Sequence, residues 1–329
     1  MGTGKGAAVN TMKMCMNQIA IVVEDDDASV RFYEQLFGVP RVGGTIFKGK
    51  AAERVQALPD PLFVANWHMD DREFFQLELF QYERPRSQPF ARVRQPWDIG
   101  YSRVALEVND PVACHAKCAS LAATGLSAIR DIDGQPHFVL SDPTGVLVEV
   151  GPATRPVPPS LGARFAGVAL SVPKLDVALA SFHHAIGCPI VTTNVTDKGS
   201  LWNEPPARKR SVLLDAGTAW LEISEYSEPS PRPWPSGYRI CDYGIMNVAF
   251  GFRDANAIRS AWQRMIQGGF KPHGELVNSA GQVLVGYMDD PQGFNVELLM
   301  VRPWLDGVMG FRRRTRTDEI LSKFMIALA

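Results

Sequence analysis

Leu77-Glu78-Leu79 sets one carboxylate between two apolar side chains, and the chain repeats this pattern three more times. The other copies are Val148-Glu149-Val150, Leu221-Glu222-Ile223 and Val296-Glu297-Leu298. In a strand, neighbouring side chains point to opposite faces, so each glutamate must point away from the core that its neighbours fill. Glutamate is depleted in strands, and four copies indicate one shared constraint. That face is either solvated or lines a cavity that uses carboxylates.

An alanine occupies a fixed place in the strand that opens each of these repeats. The four opening strands are 18–22, 103–107, 167–171 and 247–251, and their alanines are Ala20, Ala105, Ala169 and Ala249. A small side chain on the face away from the core leaves room for a bound molecule. These alanines are therefore predicted to line a cavity.

Each opening strand is followed by a helical pattern and then by strand-like runs that end at the glutamate. The helices are predicted at 28–37, 112–122, 177–186 and 255–266. Four modules of one helix and about four strands predict an α+β fold. At the glutamate, the first and third modules are offset by 222 − 78 = 144 residues and the second and fourth by 297 − 149 = 148. The spacing indicates a tandem duplication of a two-module unit.

Proline-rich runs give the expected domain organisation. We expect a flexible N-terminal segment at 1–15, a first domain at 16–152, a linker at 153–162, a second domain at 163–302 and a C-terminal tail at 303–329. Further proline-rich runs at 83–97 and 228–237 fall inside the two halves. We interpret them as crossovers between the paired modules of one domain.

Composition excludes several classes of protein. The chain has 329 residues, 46% of them hydrophobic, and a net charge of −1. It is long enough for two packed domains, and its charge gives no reason to expect nucleic acid or an anionic membrane as a partner. No apolar run approaches the roughly 18 residues that span a bilayer. Five scattered cysteines fit a reducing compartment, so a cytoplasmic location is expected.

Four segments resemble the vicinal oxygen chelate superfamily, which includes glyoxalase I, bleomycin resistance proteins and extradiol dioxygenases. They are Asn17-Gln18-Ile19-Ala20-Ile21-Val22-Val23, residues 29–38, residues 142–149 and residues 290–297, the last two opening on Asp-Pro. The resemblance extends over nearly all of 16–301. It implies four βαβββ modules paired into two half-barrel domains, as in the four-module extradiol dioxygenases.

The resemblance also implies a divalent metal held by inward-facing residues of the first and last strand of each module. The implied ligands are Gln18, Glu78 and Glu149 in the first domain, and Glu222, Asn247 and Glu297 in the second. An oxygen-only set suits magnesium or manganese better than iron or zinc. A metal-free protein remains an alternative, and no other cofactor is expected.

Two departures from the family pattern restrict the chemistry. Gly167 and Asn247 stand where the extradiol enzymes carry histidines, so the two-histidine, one-carboxylate iron set is missing and ring cleavage is disfavoured. Gln18, Glu78 and Glu149 match ligands of glyoxalase I, but Arg103 replaces the ligand histidine of that pattern, and a guanidinium cannot ligate a metal. It would pair with Glu149 or Glu78, or bind a carboxylate or enolate oxygen of a substrate.

The candidate catalytic residues are Glu78, Glu149, Glu297, Arg103 and Tyr287. Tyr287 precedes Glu297 by ten residues, which resembles the spacing of a second-sphere tyrosine in extradiol dioxygenases; a half-buried strand aromatic is the alternative.

One further candidate lies outside that set. His137 could lie across from Glu149 and line the first cavity.

Two functions remain open. The first is an enzyme, isomerase-like or lyase-like, that acts on a small aromatic or carbonyl-bearing substrate by acid–base and enolate-stabilising chemistry. The second is a non-catalytic protein that sequesters a small molecule in the same cavity. The burial cost of four carboxylates favours the enzyme. The basic run 312–316 predicts a solvated tail, or a contact with the other domain or with another subunit of a homo-oligomer.

Overall fold

Four modules of one helix flanked by strands follow one another along the chain, as the sequence predicts. The computed structural model describes residues 14–90, 93–202, 207–279 and 281–328. Most of the segment predicted to be flexible, residues 1–13, therefore lies outside the described residues. The fold is α+β, with two curled, half-barrel sheets.

The strands and helices have the following bounds. Module one contains β1 (Cys15–Val22), α1 (Asp26–Arg31, continued by a π-helical turn at Phe32–Leu36), β2 (Arg41–Lys48), α2 (Gly49–Gln56), β3 (Leu62–His68) and β4 (Gln76–Arg84). Module two contains β5 (Gly100–Val108), α3 (Pro111–Ser120), β6 (Arg130–Ile132), β7 (Gln135–Ser141) and β8 (Leu147–Pro152). Module three contains β9 (Arg164–Ser171), α4 (Leu175–Leu179, continued as a π-helix at Ala180–Ile186), β10 (Ile190–Thr192), a 3₁₀ turn (Gly199–Trp202), β11 (Arg208–Asp215) and β12 (Trp220–Glu228). Module four contains β13 (Gly244–Phe252), α5 (Ala255–Gln267), β14 (Lys271–Pro272), β15 (Val277–Ser279), β16 (Val283–Asp289) and β17 (Asn295–Val301). A 3₁₀ turn (Pro303–Leu305) and α6 (Arg316–Leu328) follow.

The register confirms that the four modules are equivalent. In each, the alanine of the opening strand lies opposite the glutamate of a parallel neighbour: Ala20 with Glu78, Ala105 with Glu149, Ala169 with Glu222 and Ala249 with Glu297. The apolar residues that flank the four glutamates all belong to one continuous core, which also holds the buried faces of the helices. The glutamates therefore point to the opposite, concave faces of the sheets.

The pairing of the modules differs from the expectation. One sheet has the order β14-β16-β17-β13-β1-β4-β3-β2, with β15 beside β16, and joins modules one and four through β1 and β13. The other has the order β10-β11-β12-β9-β5-β8-β7-β6 and joins modules two and three through β5 and β9. The expected pairing within 16–152 and within 163–302 is therefore wrong. The segment 153–162 joins β8 to β9 inside the second half-barrel.

The two proline-rich crossovers explain why module one pairs with module four and module two with module three. Residues 85–99 lead from the first half-barrel to the second, and residues 229–243 lead back. They run side by side, since Ile99 N donates to Arg232 O at 2.9 Å and Tyr243 N donates to Gln88 O at 3.1 Å. Each crossover therefore connects two sheets instead of two modules of one sheet.

The C-terminal residues pack against the first half-barrel. Arg314 donates to the carbonyl oxygens of Gly44 and Val308, each at 2.9 Å, and its guanidinium lies over the ring of Trp67. Arg312 pairs with Asp318 at 2.6 Å. The basic run 312–316 was expected to be a solvated tail or to contact the other domain or another subunit; Arg314 makes a contact with the first module, at Gly44 and Trp67.

Among the described residues, the helices include none with the length and apolar content to cross a membrane.

Candidate functional site

The changed pairing regroups the predicted site residues. Modules one and four bring together Gln18, Glu78 and Glu297, which line one space that we call the Glu78–Glu297 cavity. Asn247 lies on β13, opposite Ala20 of β1. Modules two and three bring together Arg103, Glu149, Gly167 and Glu222. We call Arg103, Glu149 and Glu222, with Lys198 and Lys209, the Arg103 cluster. Both ligand sets implied by the resemblance are divided between the half-barrels. Glu149 does not join Gln18 and Glu78, and Glu222 does not join Asn247 and Glu297, because β5 pairs with β9.

In the Arg103 cluster a guanidinium joins the two carboxylates. Arg103 is 2% exposed, and its Nε and Nη2 donate to Glu149 Oε2 and Glu222 Oε2, both at 2.6 Å. Lys198 Nζ donates to Glu149 Oε1 at 2.6 Å, and Lys209 Nζ lies 3.5 Å from Glu222 Oε1. The expected pairing of Arg103 with Glu149 is confirmed, whereas pairing with Glu78 is wrong because Glu78 lies in the other half-barrel.

These cations determine the ionisation of the cluster. Burial alone would raise the pKa of Glu149, but the charges of Lys198 and Arg103 outweigh it and hold that pKa well below its usual range. The pKa of Glu222 is lowered in the same way, with burial opposed chiefly by Arg103. Both groups are therefore carboxylates at neutral pH, and cations already neutralise them.

The Arg103 cluster leaves little room for a ligand. The space beside it is about 10 Å³, close to the volume that a single water molecule needs. An added Cβ at Gly167 would clash with the ring of Trp220, which fills the space where the other opening strands carry a longer side chain. His137 Nδ1 lies 3.5 Å from Glu149 Oε1, so the sequence placed it correctly beside Glu149, although the cavity that it was to line is filled.

The Glu78–Glu297 cavity is open by contrast, with a volume of about 260 Å³. Gln18, Glu78, Tyr287 and Glu297 line one end of it. Gln18 Nε2 donates to Glu78 Oε2 at 3.0 Å, and Trp67 Nε1 donates to Glu78 Oε1 at 2.7 Å. Both donors are neutral, so they fix the carboxyl group without neutralising its charge.

No cation compensates the two carboxyl groups. Among the described residues, no lysine, arginine or histidine nitrogen lies within 4.0 Å of Glu78 or Glu297. Burial raises the pKa of Glu78. Burial and the charge of Glu78 together raise the pKa of Glu297 well above its usual range. Cations thus neutralise Glu149 and Glu222 in one half-barrel, whereas among the described residues no cation pairs with their equivalents, Glu78 and Glu297, in the other.

Buried side-chain oxygens of modules one and four lack a hydrogen-bond partner in the part of the chain that the structure describes. They include Glu297 Oε2, Gln18 Oε1 and Asn247 Oδ1. Buried polar atoms without partners are rare and call for an explanation such as an ion. Within the described part of the chain, no three side chains of His, Cys, Asp or Glu cluster as a metal site. The set beside this cavity has two carboxylates and two amides. Oxygen donors of this kind fit a hard divalent cation.

Tyr287 lies directly opposite Glu297 in the pairing of β16 with β17 and is buried in the cavity wall. Burial and the charge of Glu297 raise the pKa of Tyr287, so the phenol stays protonated and can donate. Gln56, at the end of α2, accepts a hydrogen bond from Tyr82 at 2.9 Å and also contacts Tyr287. Tyr287 therefore lies where the sequence predicted.

The four alanines occupy equivalent positions, yet Ala20 and Ala249 are not part of the cavity wall. Both are completely buried between strands. Larger side chains that the sequence did not single out form the wall instead, including Trp67, Gln56 and, from the C-terminal segment, Met309. Trp67 could have been identified from a hairpin between β3 and β4, because it pairs with Glu78 there. Lys198 and Met309 lie outside any strand repeat, so no pattern could have found them.

The metal-free protein is expected to lose stability as the pH rises above about 4.3, the ordinary pKa of glutamic acid. Because the pKa values of Glu78 and Glu297 are raised in the folded state, the folded protein binds more protons than the unfolded chain there, and the free energy of unfolding falls with pH. Urea unfolding with a chelator, from about pH 5 to about pH 8, should show a steeper decline for wild type than for the double variant Glu78→Gln/Glu297→Gln. Equal slopes would contradict the assignment.

Comparison with known proteins supports the fold. No protein-family profile and no curated protein matches the sequence. Among solved structures, glyoxalase I from Zea mays is similar at 16% identity and a TM-score of 0.62, covering 88% of this chain and 92% of that one. A presumed dioxygenase from Bacillus subtilis is similar at 12% identity and a TM-score of 0.64, covering 97% and 96%. The chain therefore has the fold of the vicinal oxygen chelate superfamily.

Proposed function

We propose that the protein is an enzyme that binds one divalent metal ion in the Glu78–Glu297 cavity. The reaction would be proton transfer at a carbon next to a carbonyl group of a small oxygenated substrate. One observation carries the proposal: among the described residues, no cation pairs with the two buried carboxyl groups of this half-barrel, while Arg103 neutralises their equivalents in the other. Burying such charge is costly unless it is paired, metallated or used.

The side-chain oxygens of Gln18, Glu78, Asn247 and Glu297 would hold the ion, and their chemistry favours magnesium or manganese. Once bound, the metal would polarise a substrate carbonyl oxygen and stabilise the negative charge that develops on it. Asn247 Nδ2 donates to Asn295 Oδ1 at 3.0 Å, which orients the amide and leaves Asn247 Oδ1 for the ion.

The two glutamates would have different roles. Both oxygens of Glu78 accept hydrogen bonds, so this carboxylate is fixed in place. The unpartnered Oε2 of Glu297 would hold the ion, which leaves Oε1 to accept a proton from the substrate. Tyr287, opposite Glu297, would donate its hydroxyl proton in a hydrogen bond to the substrate or to Glu297.

Arg103 and Glu149, which the sequence also suggested as catalytic residues, take no part in this proposal. They neutralise one another in the second half-barrel, beside a space of about 10 Å³. Their role would be structural.

Exchange of substrate hydrogen for deuterium tests the proposal. Wild-type protein with magnesium should accelerate the exchange of the carbon-bound hydrogens of hydroxyacetone in D₂O, followed by proton NMR. Glu297→Gln should lower the rate by about 100-fold or more, because it removes both the general base, which contributes about 10²–10⁴, and a ligand of the ion. Tyr287→Phe should have a smaller effect, and Glu225→Gln, which changes an exposed ion pair with Arg210, should match wild type.

Failure of the wild-type protein to accelerate exchange, with metal bound, would contradict the enzyme proposal and favour the sequestering protein.

A further inference from the structure

A glutamine from outside the strand repeats lies in the wall of the Glu78–Glu297 cavity. Gln56 is the last residue of α2, and it lines the cavity together with Tyr287 and Glu297. Apart from Gln56 and Ala52, the residues of α2 are exposed or half-buried, whereas Gln56 is only 3% exposed. A buried polar side chain has hydrogen-bond partners, and these partners decide what Gln56 does in the wall.

Module four holds the end of α2 in place. His273 Nδ1 lies 3.4 Å from the backbone oxygen of Gln56, and Arg54 Nη1 pairs with Glu275 Oε1 at 3.3 Å. Ala57, with a φ of 54°, ends the helix directly after Gln56. These contacts fix the backbone from which the Gln56 amide projects, so its position is set before any ligand binds.

The two ends of the Gln56 amide face two different phenols. Tyr82 donates its hydroxyl proton to Gln56 Oε1 at 2.9 Å. The amide also interacts with the hydroxyl group of Tyr287. Because Tyr82 occupies the amide oxygen, the nitrogen faces Tyr287, and an amide nitrogen can only donate. The hydroxyl oxygen of Tyr287 therefore accepts from Gln56, and its own proton is left for another acceptor.

That acceptor lies on the neighbouring strand. Tyr287 lies directly opposite Glu297 in the pairing of β16 with β17, and the two side chains interact. Both line the cavity, so a proton that Tyr287 does not give to Gln56 is available to Glu297 or to a molecule beside it.

We propose that Gln56 is a positioning residue that turns the hydroxyl proton of Tyr287 toward Glu297 and the bound substrate. It acts through Tyr287 and does not contact the reacting atoms. The effect on the substrate rests on the proposed function, whereas the direction of the hydroxyl group rests on contacts within the protein alone.

Infrared spectroscopy of the metal-free protein tests the direction of the hydroxyl group. The C–O stretching band of a phenol lies at a higher wavenumber when its hydroxyl group only donates than when it also accepts. Subtracting the spectrum obtained after adding Tyr287→Phe isolates the band of Tyr287 in each protein. Gln56→Met removes the donor and keeps a side chain of similar length, so it should shift this band to a higher wavenumber.

Two further variants complete the infrared test. Gln56→Leu also removes the donor and should give the same shift. Glu53→Met is the matched control on the same helix, because it breaks a surface ion pair with Lys50, and it should leave the band as in wild type. An unshifted band in folded Gln56→Met or Gln56→Leu protein would overturn the inference.

The exchange of hydroxyacetone hydrogens in D₂O gives a second readout. Because Gln56 acts through Tyr287, Gln56→Met should lower the rate about as much as Tyr287→Phe, and the double variant should match Tyr287→Phe alone. A further loss in the double variant would show a separate role for Gln56 and overturn the inference. A shifted band together with no exchange by wild-type protein would support the direction of the hydroxyl group and contradict the proposed function.

Discussion

Replacing Arg103 by methionine is expected to lower the free energy of unfolding by about 3–5 kcal/mol, the usual cost of removing one partner from a buried ion pair. The guanidinium donates to both Glu149 and Glu222 at 2.6 Å, and all three side chains are buried. Lys198 would remain as a partner for Glu149. Glu222 would keep Lys209, at 3.5 Å, and Lys198, at 4.0 Å. Urea unfolding measures the loss.

The pH dependence of this loss distinguishes charge from packing. Since the pKa values of Glu149 and Glu222 are lowered in the folded state, their contribution to stability is present above about pH 4.3 and is lost as the pH falls. The difference between wild type and Arg103→Met should therefore shrink in acid. Arg210→Met, which breaks an exposed ion pair with Glu225, should change stability little. A similar loss in both variants would contradict the account.

Replacing Glu297 by glutamine should weaken the binding of manganese by about 100-fold or more, because changes even in groups that support a ligand cost about 10–100-fold. The variant keeps the size of the side chain and removes the carboxyl group of Glu297, one of the two, with Glu78, that no cation of the described residues balances. Glu78→Gln should have a similar effect. Isothermal titration calorimetry measures both.

Glu222→Gln is the matched control, since it makes the same change at the equivalent position of the other half-barrel. Manganese affinity should stay as in wild type, because Arg103 and the lysines occupy that cluster. If Glu222→Gln and Glu297→Gln weaken manganese binding equally, the assignment of the metal to one half-barrel is wrong.

The sequence predicts the modules well because strand alternation and the alanine and glutamate positions are local properties. It does not predict their pairing. The offsets of 144 and 148 residues are the same whether module one pairs with module two or with module four. The pairing depends on the crossovers at 85–99 and 229–243, whose mutual hydrogen bonds are contacts between distant parts of the chain.

The sequence identifies individual candidate residues, but it does not show which of them share one site. Glu297 and Tyr287 lie together, as predicted, but Glu78 joins them from the module that was expected in the other domain. Glu149 and Arg103 belong to the other half-barrel. The distinction between an open cavity and a filled cluster depends on Lys198 and Trp220, whose positions follow from tertiary packing. A strand pattern carries no information on such contacts.

The metal content of the protein tests the central claim most directly. Untagged protein would be loaded with manganese, dialysed and analysed for metal per chain by mass spectrometry under native conditions. The account predicts one ion per chain, lost from Glu297→Gln and retained by Glu222→Gln. Two ions per chain, or none in wild-type protein, would contradict the claim that one half-barrel holds a metal while Arg103 replaces it in the other.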